Sequence, residues 1–226
     1  MISHKYRCIF IHIPKCAGTS IESALGHRDH YNGRNGQDHR SIRMIESPLL
    51  TKEMLHSQDN RLEVLRRIKY KFHKQGNPCN CYTVTKEQFD SYFKFTFIRN
   101  PWSRAYSWYK NVMQDEIHRK GYKIRGQVSL NEFLSRFAGR GMLRPQTYWI
   151  KGFDGSIPLN HIGRFETLRE DFLEICNCMH VPPIELPHKV SGSGEDYHVY
   201  YDQVSKDLIA RIYRDEIEMF GYSFEL

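Results

Sequence analysis

The chain has 226 residues, 26% of them charged and 40% hydrophobic, with a net charge of +7. That length fits one domain, large enough to bury roughly 70–75% of its unfolded-chain surface. No apolar run approaches the ~20 residues that span a bilayer and no signal-type apolar block opens the chain, so a soluble cytoplasmic protein is expected, or a trimmed lumenal domain.

The apolar run Cys8–Ile13 stops at Pro14, and Lys15, Gly18, Thr19 and Ser20 follow before Ile21–Leu25 reads as a short helix. This predicts a buried strand emptying into a loop at a helix N-terminus, where unpaired N–H groups and the helix dipole favour an anion. Lys15 adds a mobile positive charge, and Thr19 and Ser20 add donors, so the loop suits a phosphate-like group. It is not the nucleotide triphosphatase loop: Lys15 precedes Gly18, the segment is too short to wrap a triphosphate, and no acidic strand end supplies magnesium.

Residues 26–50 read as a long polar loop of the kind that carries function. Leu62, Leu65, Ile68 and Phe72 predict an amphipathic helix with a basic outer face over 61–72. Asn77-Pro78 breaks the chain, and Phe93–Ile98 reads as a second strand. Arg99 sits at that strand's carboxyl end, where open α/β sheets bind ligands and a guanidinium can grip a phosphate bidentately. Asn100 as N-cap and Pro101 at the first position start a helix with an apolar stripe of Trp102, Ala105, Tyr106, Tyr109 and Met113, and Ser107 lies off that stripe.

Capping boxes at Ser129–Glu132 and Thr167–Glu170 open helices whose faces are Leu130, Phe133, Leu134, Phe137 and Leu168, Phe172, Ile175. A short strand is expected at His161–Phe165. Pro182, Pro183 and Pro187, then Ser191–Gly194, predict a mobile loop. A last helix is expected from about Val204 to Phe220 with Gly221 as its stop. Strands alternating with helices give an α/β fold with a parallel sheet.

The Pro14–Ser20 loop and the Arg99-Asn100-Pro101…Ser107 segment together resemble the sulfotransferases that use 3′-phosphoadenosine 5′-phosphosulfate (PAPS), in particular the carbohydrate sulfotransferase branch and its small relatives. Supporting likenesses run through Arg144–Trp149, Ile162–Glu166, Leu186-Pro187-His188 and Phe220–Phe224, so the resemblance covers nearly the whole chain as a single domain, 1–226. It implies a P-loop-like three-layer sandwich with a central parallel sheet flanked by helices. It also implies that Lys15, Cys16, Ala17, Gly18, Thr19 and Ser20 hold the 5′-phosphosulfate, with Cys16 a spacer, and that Arg99 and Ser107 hold the 3′-phosphate. Lys15 neutralises the oxygen bridging phosphorus and sulfur, 3′-phosphoadenosine 5′-phosphate (PAP) is the product, and no metal is required. Membrane-anchored Golgi members would carry an apolar anchor.

An acceptor hydroxyl needs a base, and His39, in Asp38-His39-Arg40-Ser41, matches the family's histidine segment; His27 and His30 in the same loop are alternatives. His12 and His188 are read as structural. Arg164 and Glu166 fit strand-end pairing as well as a site. Lys189, Ser191 and Ser193 fall where a late loop covers the nucleotide, and Gln146 and Trp149 are candidates for the acceptor cleft, with Trp149 also suited to the core.

Residues 1–75 carry 14 Lys and Arg against 7 Asp and Glu, the whole of the net excess. A basic face there suits an acidic acceptor such as a sulfated or uronic-acid glycan, or is simply solvated. No nucleic-acid motif accompanies the charge, so no nucleic-acid partner is expected. Cys79/Cys81 and Cys176/Cys178 lack zinc-knuckle spacing and are read as reduced, separately packed thiols, with a link between the two pairs in an oxidising compartment as the alternative. The expected activity is O-sulfation of a glycan or small hydroxylated molecule. The alternatives are a basic glycan-binding module on an inactive sulfotransferase scaffold and a kinase-type phosphotransferase. Oligomeric state stays open.

Overall fold

In a computed structural model of the chain, residues 1–31, 33–34, 36–46, 52–187 and 196–225 are described. His188, Lys189, Ser191 and Ser193, and with them the expected mobile loop at Ser191–Gly194, lie outside the described residues. The first half contains β1 (Ile2–Ser3), β2 (Cys8–Ile11), α1 (Gly18–Ala24), α2 (Ile42–Ile45), α3 (Gln58–Phe72), α4 (Lys86–Ser91) and β3 (Phe93–Ile98). There follow α5 (Pro101–Gln114), α6 (Glu116–Gly121), α7 (Leu130–Phe137), α8 (Gln146–Ile150), β4 (His161–Arg164), α9 (Leu168–Cys178), α10 (Gln203–Ile212) and α11 (Arg214–Phe220). Two compact units divide the chain: Met1–Ile98 with Thr147–Val190, and Arg99–Gln146 with Ser191–Leu226.

The first unit holds the sheet, in the order β1-β2-β3-β4. β2, β3 and β4 are mutually parallel, with Ile11 opposite Thr96 and Ile98 opposite Arg164, and β1 adds an antiparallel edge that sequence pattern alone did not mark. Every residue of β2 is buried, as expected of a parallel strand covered on both faces. Phe10 stacks on Phe95 at 5.1 Å, and Thr96 Oγ1 donates to the Ile11 carbonyl at 2.7 Å. A Cβ at Gly163 would sit 2.5 Å from the Phe97 ring, so β4 has glycine where the neighbouring aromatic needs the space. The α/β class with a helix-flanked parallel sheet is therefore what the chain adopts. Because β2 and β3 are parallel neighbours, their carboxyl ends leave from one edge of the sheet.

Two expectations in this unit are corrected. Residues 26–50 are not loop throughout: α2 occupies Ile42–Ile45, and Ile42, Arg43, Met44 and Ile45 are all buried. The helix at 61–72 exists, as α3, but with its polarity reversed. Leu65, Ile68 and Phe72 are 63%, 53% and 82% exposed, whereas Asn60 and Glu63 are buried. The polar side wins the interior because it finds partners there. Glu63 accepts from Ser41 Oγ, Tyr148 OH and Arg66, and Asn60 accepts from Arg43 at 2.8 Å while donating to the Glu53 and Phe153 carbonyls. A buried carboxylate with three donors is paired, not orphaned.

The second unit is helical. Asn100 caps α5 by accepting from the N–H groups of Trp102 and Ser103 at 3.0 and 3.3 Å, with Pro101 at the first position as predicted. Trp102, Ala105, Tyr106 and Met113 join Phe133, Leu134, Leu143, Ile209 and Tyr213 in one apolar core. The single C-terminal helix expected over 204–220 is two helices, α10 and α11, broken at Tyr213, whose hydroxyl donates to the Leu143 carbonyl and accepts from Gly139 N–H. Gly221 stops α11 in the left-handed conformation, φ 65°. Ser129 caps α7 through Glu132 N–H at 3.2 Å. The box at Thr167 does not form; back in the first unit, its hydroxyl turns to Asp171 instead. No helix among the described residues is long and apolar enough to cross a membrane.

Candidate active site

In the first unit, the chain leaves β2 through His12, Ile13 and Pro14 into the predicted anion loop. Lys15 and Ala17 take left-handed backbone conformations, φ 69° and 60°, which L-residues hold at a cost of roughly 1–3 kcal/mol each. Left-handed residues alternating with ordinary ones turn successive N–H groups into a concavity suited to an anion. Side chains alternate too: Lys15, Ala17 and Thr19 are partly exposed, whereas Cys16, Gly18 and Ser20 are buried. Cys16 faces inward, its N–H bonded to the Ile13 carbonyl at 3.3 Å and its thiol 3.8 Å from the Pro14 carbonyl. The first N–H groups of α1 have no carbonyl in their own helix.

Beneath the loop lies a polar pair that sequence reasoning left unassigned. Buried His12 donates from Nδ1 to Glu22 Oε1 at 2.8 Å, and the same carboxylate oxygen accepts the Asp38 N–H at 2.9 Å. Burial alone would raise Glu22, but His12 beside it dominates and holds the carboxyl at about 2. Gly18 packs flat on the His12 ring. Asp38 is likewise buried, yet Arg40 holds it far below the usual carboxylate range, with Nε and Nη2 on its oxygens at 2.8 and 2.6 Å. Arg40 also donates to the Tyr82 carbonyl at 2.7 Å, so both residues flanking His39 are anchored.

His39 itself is partly exposed. Its ring lies 4.2 Å from that of His12 and 6.3 Å from Trp149, between centroids. Nδ1 is 3.1 Å from the His12 carbonyl. A carbonyl only accepts, so Nδ1 carries the proton and Nε2 keeps its lone pair. Burial, reinforced by His12 alongside, pushes the ring down to about 3, so it is neutral at pH 7. The other loop histidines are placed differently. His27 is buried with Nε2 on Asn80 Oδ1 at 2.7 Å, and His30 is exposed. From α3, Arg66 pairs with Glu63, donates to the His39 carbonyl at 3.3 Å and lies over the Trp149 ring at 5.4 Å. Trp149 is buried, so it belongs to the core.

In the second unit, Arg99 is the first residue after β3 and is partly exposed. Its Nε donates to Ser103 Oγ at 2.9 Å. Ser103 and Ser107 are one helical turn apart on α5, so they share a face. Gln146 brackets the Arg99 backbone, accepting its N–H and donating to its carbonyl, both at 2.8 Å. Gln146 is itself fixed by Glu216 at 3.1 Å and is fully buried. That corrects the expectation of Gln146 in an acceptor cleft. Arg104 is buried too, donating to the Arg144 carbonyl at 2.6 Å.

A family model described as the sulfotransferase family matches residues 1–223. The chain belongs to the sulfotransferase family. No curated protein and no solved structure matches it. Sulfuryl transfer is thus the general chemistry that membership of this family supports. None of the chain's six cysteines, all among the described residues, forms a disulfide. Sequence reasoning missed His12–Glu22, Glu63–Arg66, Ser103 and the Gln146 bracket. Only Ser103 left a legible trace, since it falls midway between Arg99 and Ser107 at helical spacing.

Proposed function

We propose that this sulfotransferase transfers the sulfuryl group of PAPS to an acceptor hydroxyl, with His39 as general base. The observation that carries the reading is the loop after β2, a strained backbone that exposes Lys15, Ala17 and Thr19 beside a neutral histidine with one free ring nitrogen. Lys15, the loop N–H groups, Thr19 and Ser20 take the 5′-phosphosulfate. Arg99 and Ser107 take the 3′-phosphate. Support for assigning both ends to one nucleotide comes from the family match over residues 1–223, which takes in both the Pro14–Ser20 and the Arg99–Ser107 segments.

His39 Nε2 accepts the acceptor's hydroxyl proton as that oxygen attacks sulfur. The bond from sulfur to the bridging oxygen breaks in line, its electron pair leaves with PAP, and Lys15 stabilises the charge that develops there. A ring held near 3 is a weak base in the free protein. The negative charge of a bound donor opposes that depression and lifts the imidazole toward the range where it takes protons at neutral pH. The acceptor is a glycan or a small hydroxylated molecule.

The test is His39→Ala. PAP affinity by calorimetry stays within about twofold, and sulfation from labelled PAPS falls at least ~100-fold, the usual scale for a lost general base. Near-normal turnover in the variant moves the base elsewhere and sinks this assignment.

A further inference from the structure

The reversed polarity of α3 leaves an apolar ridge in water. Leu65, Ile68 and Phe72, at i, i+3 and i+7, share one face of the helix, and each is more than half exposed. Arg61 lies on the same face one turn earlier, and its Nη1 donates at 3.1 Å to the carbonyl of Leu55, itself an exposed apolar residue. From Arg61 to Phe72 the face is about 16 Å long. Single exposed apolar side chains are ordinary, but a contiguous row of them marks a surface that something covers.

The charge around the ridge identifies the cover. On a helical wheel, Lys69 and Lys71 fall roughly 70° and 90° to either side of the ridge's centre. Both are exposed, and among the described residues neither enters an ion pair. The carboxylates of α3 are Asp59, in its first turn, and Glu63, which is buried on the opposite side, so none faces the ridge. A lysine on each flank of an apolar row lays its stem along the row and holds its ammonium at the depth of lipid headgroups.

We propose that this face of α3 seats the protein on an anionic lipid bilayer, with Leu65, Ile68 and Phe72 entering the interface and Lys69 and Lys71 meeting lipid phosphates. The association is peripheral, and it goes beyond the sulfuryl-transfer reading without depending on it. A second copy of the chain is a poor cover, because ridge on ridge would bring these lysines against their own counterparts with no carboxylate between them. A nucleic-acid backbone would use the lysines and leave the ridge in water.

Flotation of the full chain with vesicles of phosphatidylcholine, alone or with roughly 30% phosphatidylserine, measures the association. Wild type floats with the mixed vesicles and stays behind with the neutral ones. Ile68→Ser/Phe72→Ser lowers the partition coefficient at least ~10-fold, and Lys69→Gln/Lys71→Gln lowers it by a similar factor. All four side chains are exposed, so both variants keep the wild-type unfolding midpoint and a loss is not misfolding. Val199→Ser/Val204→Ser, which removes two exposed apolar side chains from the second unit, leaves partition unchanged. In Phe72→Trp the indole emission moves to the blue when mixed vesicles are added, as the ring leaves water. Failure of wild type to float with mixed vesicles, an equal loss in the valine variant, or a loss confined to the lysine variant would overturn the proposal. So would dimers in sedimentation that need Ile68 and Phe72 while vesicle binding does not, since the ridge would then be a contact between copies.

Discussion

Gly18→Ala is the smallest change that reaches the centre of the first unit's site. A Cβ at Gly18 would lie 1.9, 2.1 and 2.4 Å from His12 Cδ2, Nε2 and Cγ. Such contacts force the ring to move, and the ring is pinned: His12 is 3% exposed and its Nδ1 is committed to Glu22. Overpacking of this kind costs typically about 1–3 kcal/mol. Dislodging the imidazole also strips buried Glu22 of its main partner, and breaking a buried pair costs about 3–5 kcal/mol when complete. The two overlap, so a total near 3 kcal/mol is expected, a fall in Tm of roughly 6–12 °C for a chain of this size. Gly18 is helical and not left-handed, so the backbone itself would welcome alanine. In a His12→Ala background the obstructing ring is gone, and the same substitution should stabilise by about 0.4–1 kcal/mol. Urea unfolding of wild type, both single variants and the double variant measures this change of sign directly. If Gly18→Ala costs the same in both backgrounds, the ring is not what demands glycine here, and the packing argument fails.

Three further outcomes are expected. His39, pushed down to about 3, and His27, also depressed by burial, stay neutral in the fold where the unfolded chain takes up protons near 6.5, so stability falls as pH drops from 6.5 toward 3. Glu22, held near 2, adds its own loss only below about 4.5. Denaturation at pH 7 and pH 5 should therefore show a smaller drop for His39→Asn than for wild type, and an identical drop would contradict the shift. Ser103→Ala removes the hydrogen bond made by Arg99 Nε and should weaken PAP by about 1 kcal/mol, roughly fivefold, with adenosine, which carries no phosphate, unaffected; a loss as large as that of Arg99→Ala would make Ser103 a direct ligand. Glu63→Ala leaves Ser41, Tyr148 and Arg66 without their shared acceptor and should destabilise by about 3–5 kcal/mol in urea, whereas a change under ~1 kcal/mol would mean the buried network holds nothing together.

Local rules carried much of the way. Cys8–Ile11 and Phe93–Ile98 form strands because apolar, β-branched and aromatic runs leave them no other good interior arrangement, and Asn100-Pro101 starts a helix by cap chemistry alone. What failed was periodicity on α3. Leu62, Leu65, Ile68 and Phe72 have the right spacing for a buried stripe, yet Glu63 and Asn60 hold the interior through donors supplied by Ser41, Arg43 and Tyr148. Those partners are 17 to 85 residues away in sequence, and no local pattern announces them. The same distance hides the bracket that Gln146 places on Arg99, 47 residues off. By contrast the loop from Pro14 to Ser20 is contiguous, so its residue types were legible, while its left-handed turns at Lys15 and Ala17 were not, because neither residue favours that conformation.

The central claim is that one adenosine bisphosphate is gripped at its 5′ end by Lys15 and at its 3′ end by Arg99. Titration of PAP and of 5′-AMP, which lacks the 3′-phosphate, into wild type, Lys15→Ala and Arg99→Ala tests it most directly. Lys15→Ala should weaken both nucleotides, and Arg99→Ala should weaken PAP at least tenfold and leave 5′-AMP unchanged. Arg99→Ala acting equally on the two, or on neither, would contradict the account.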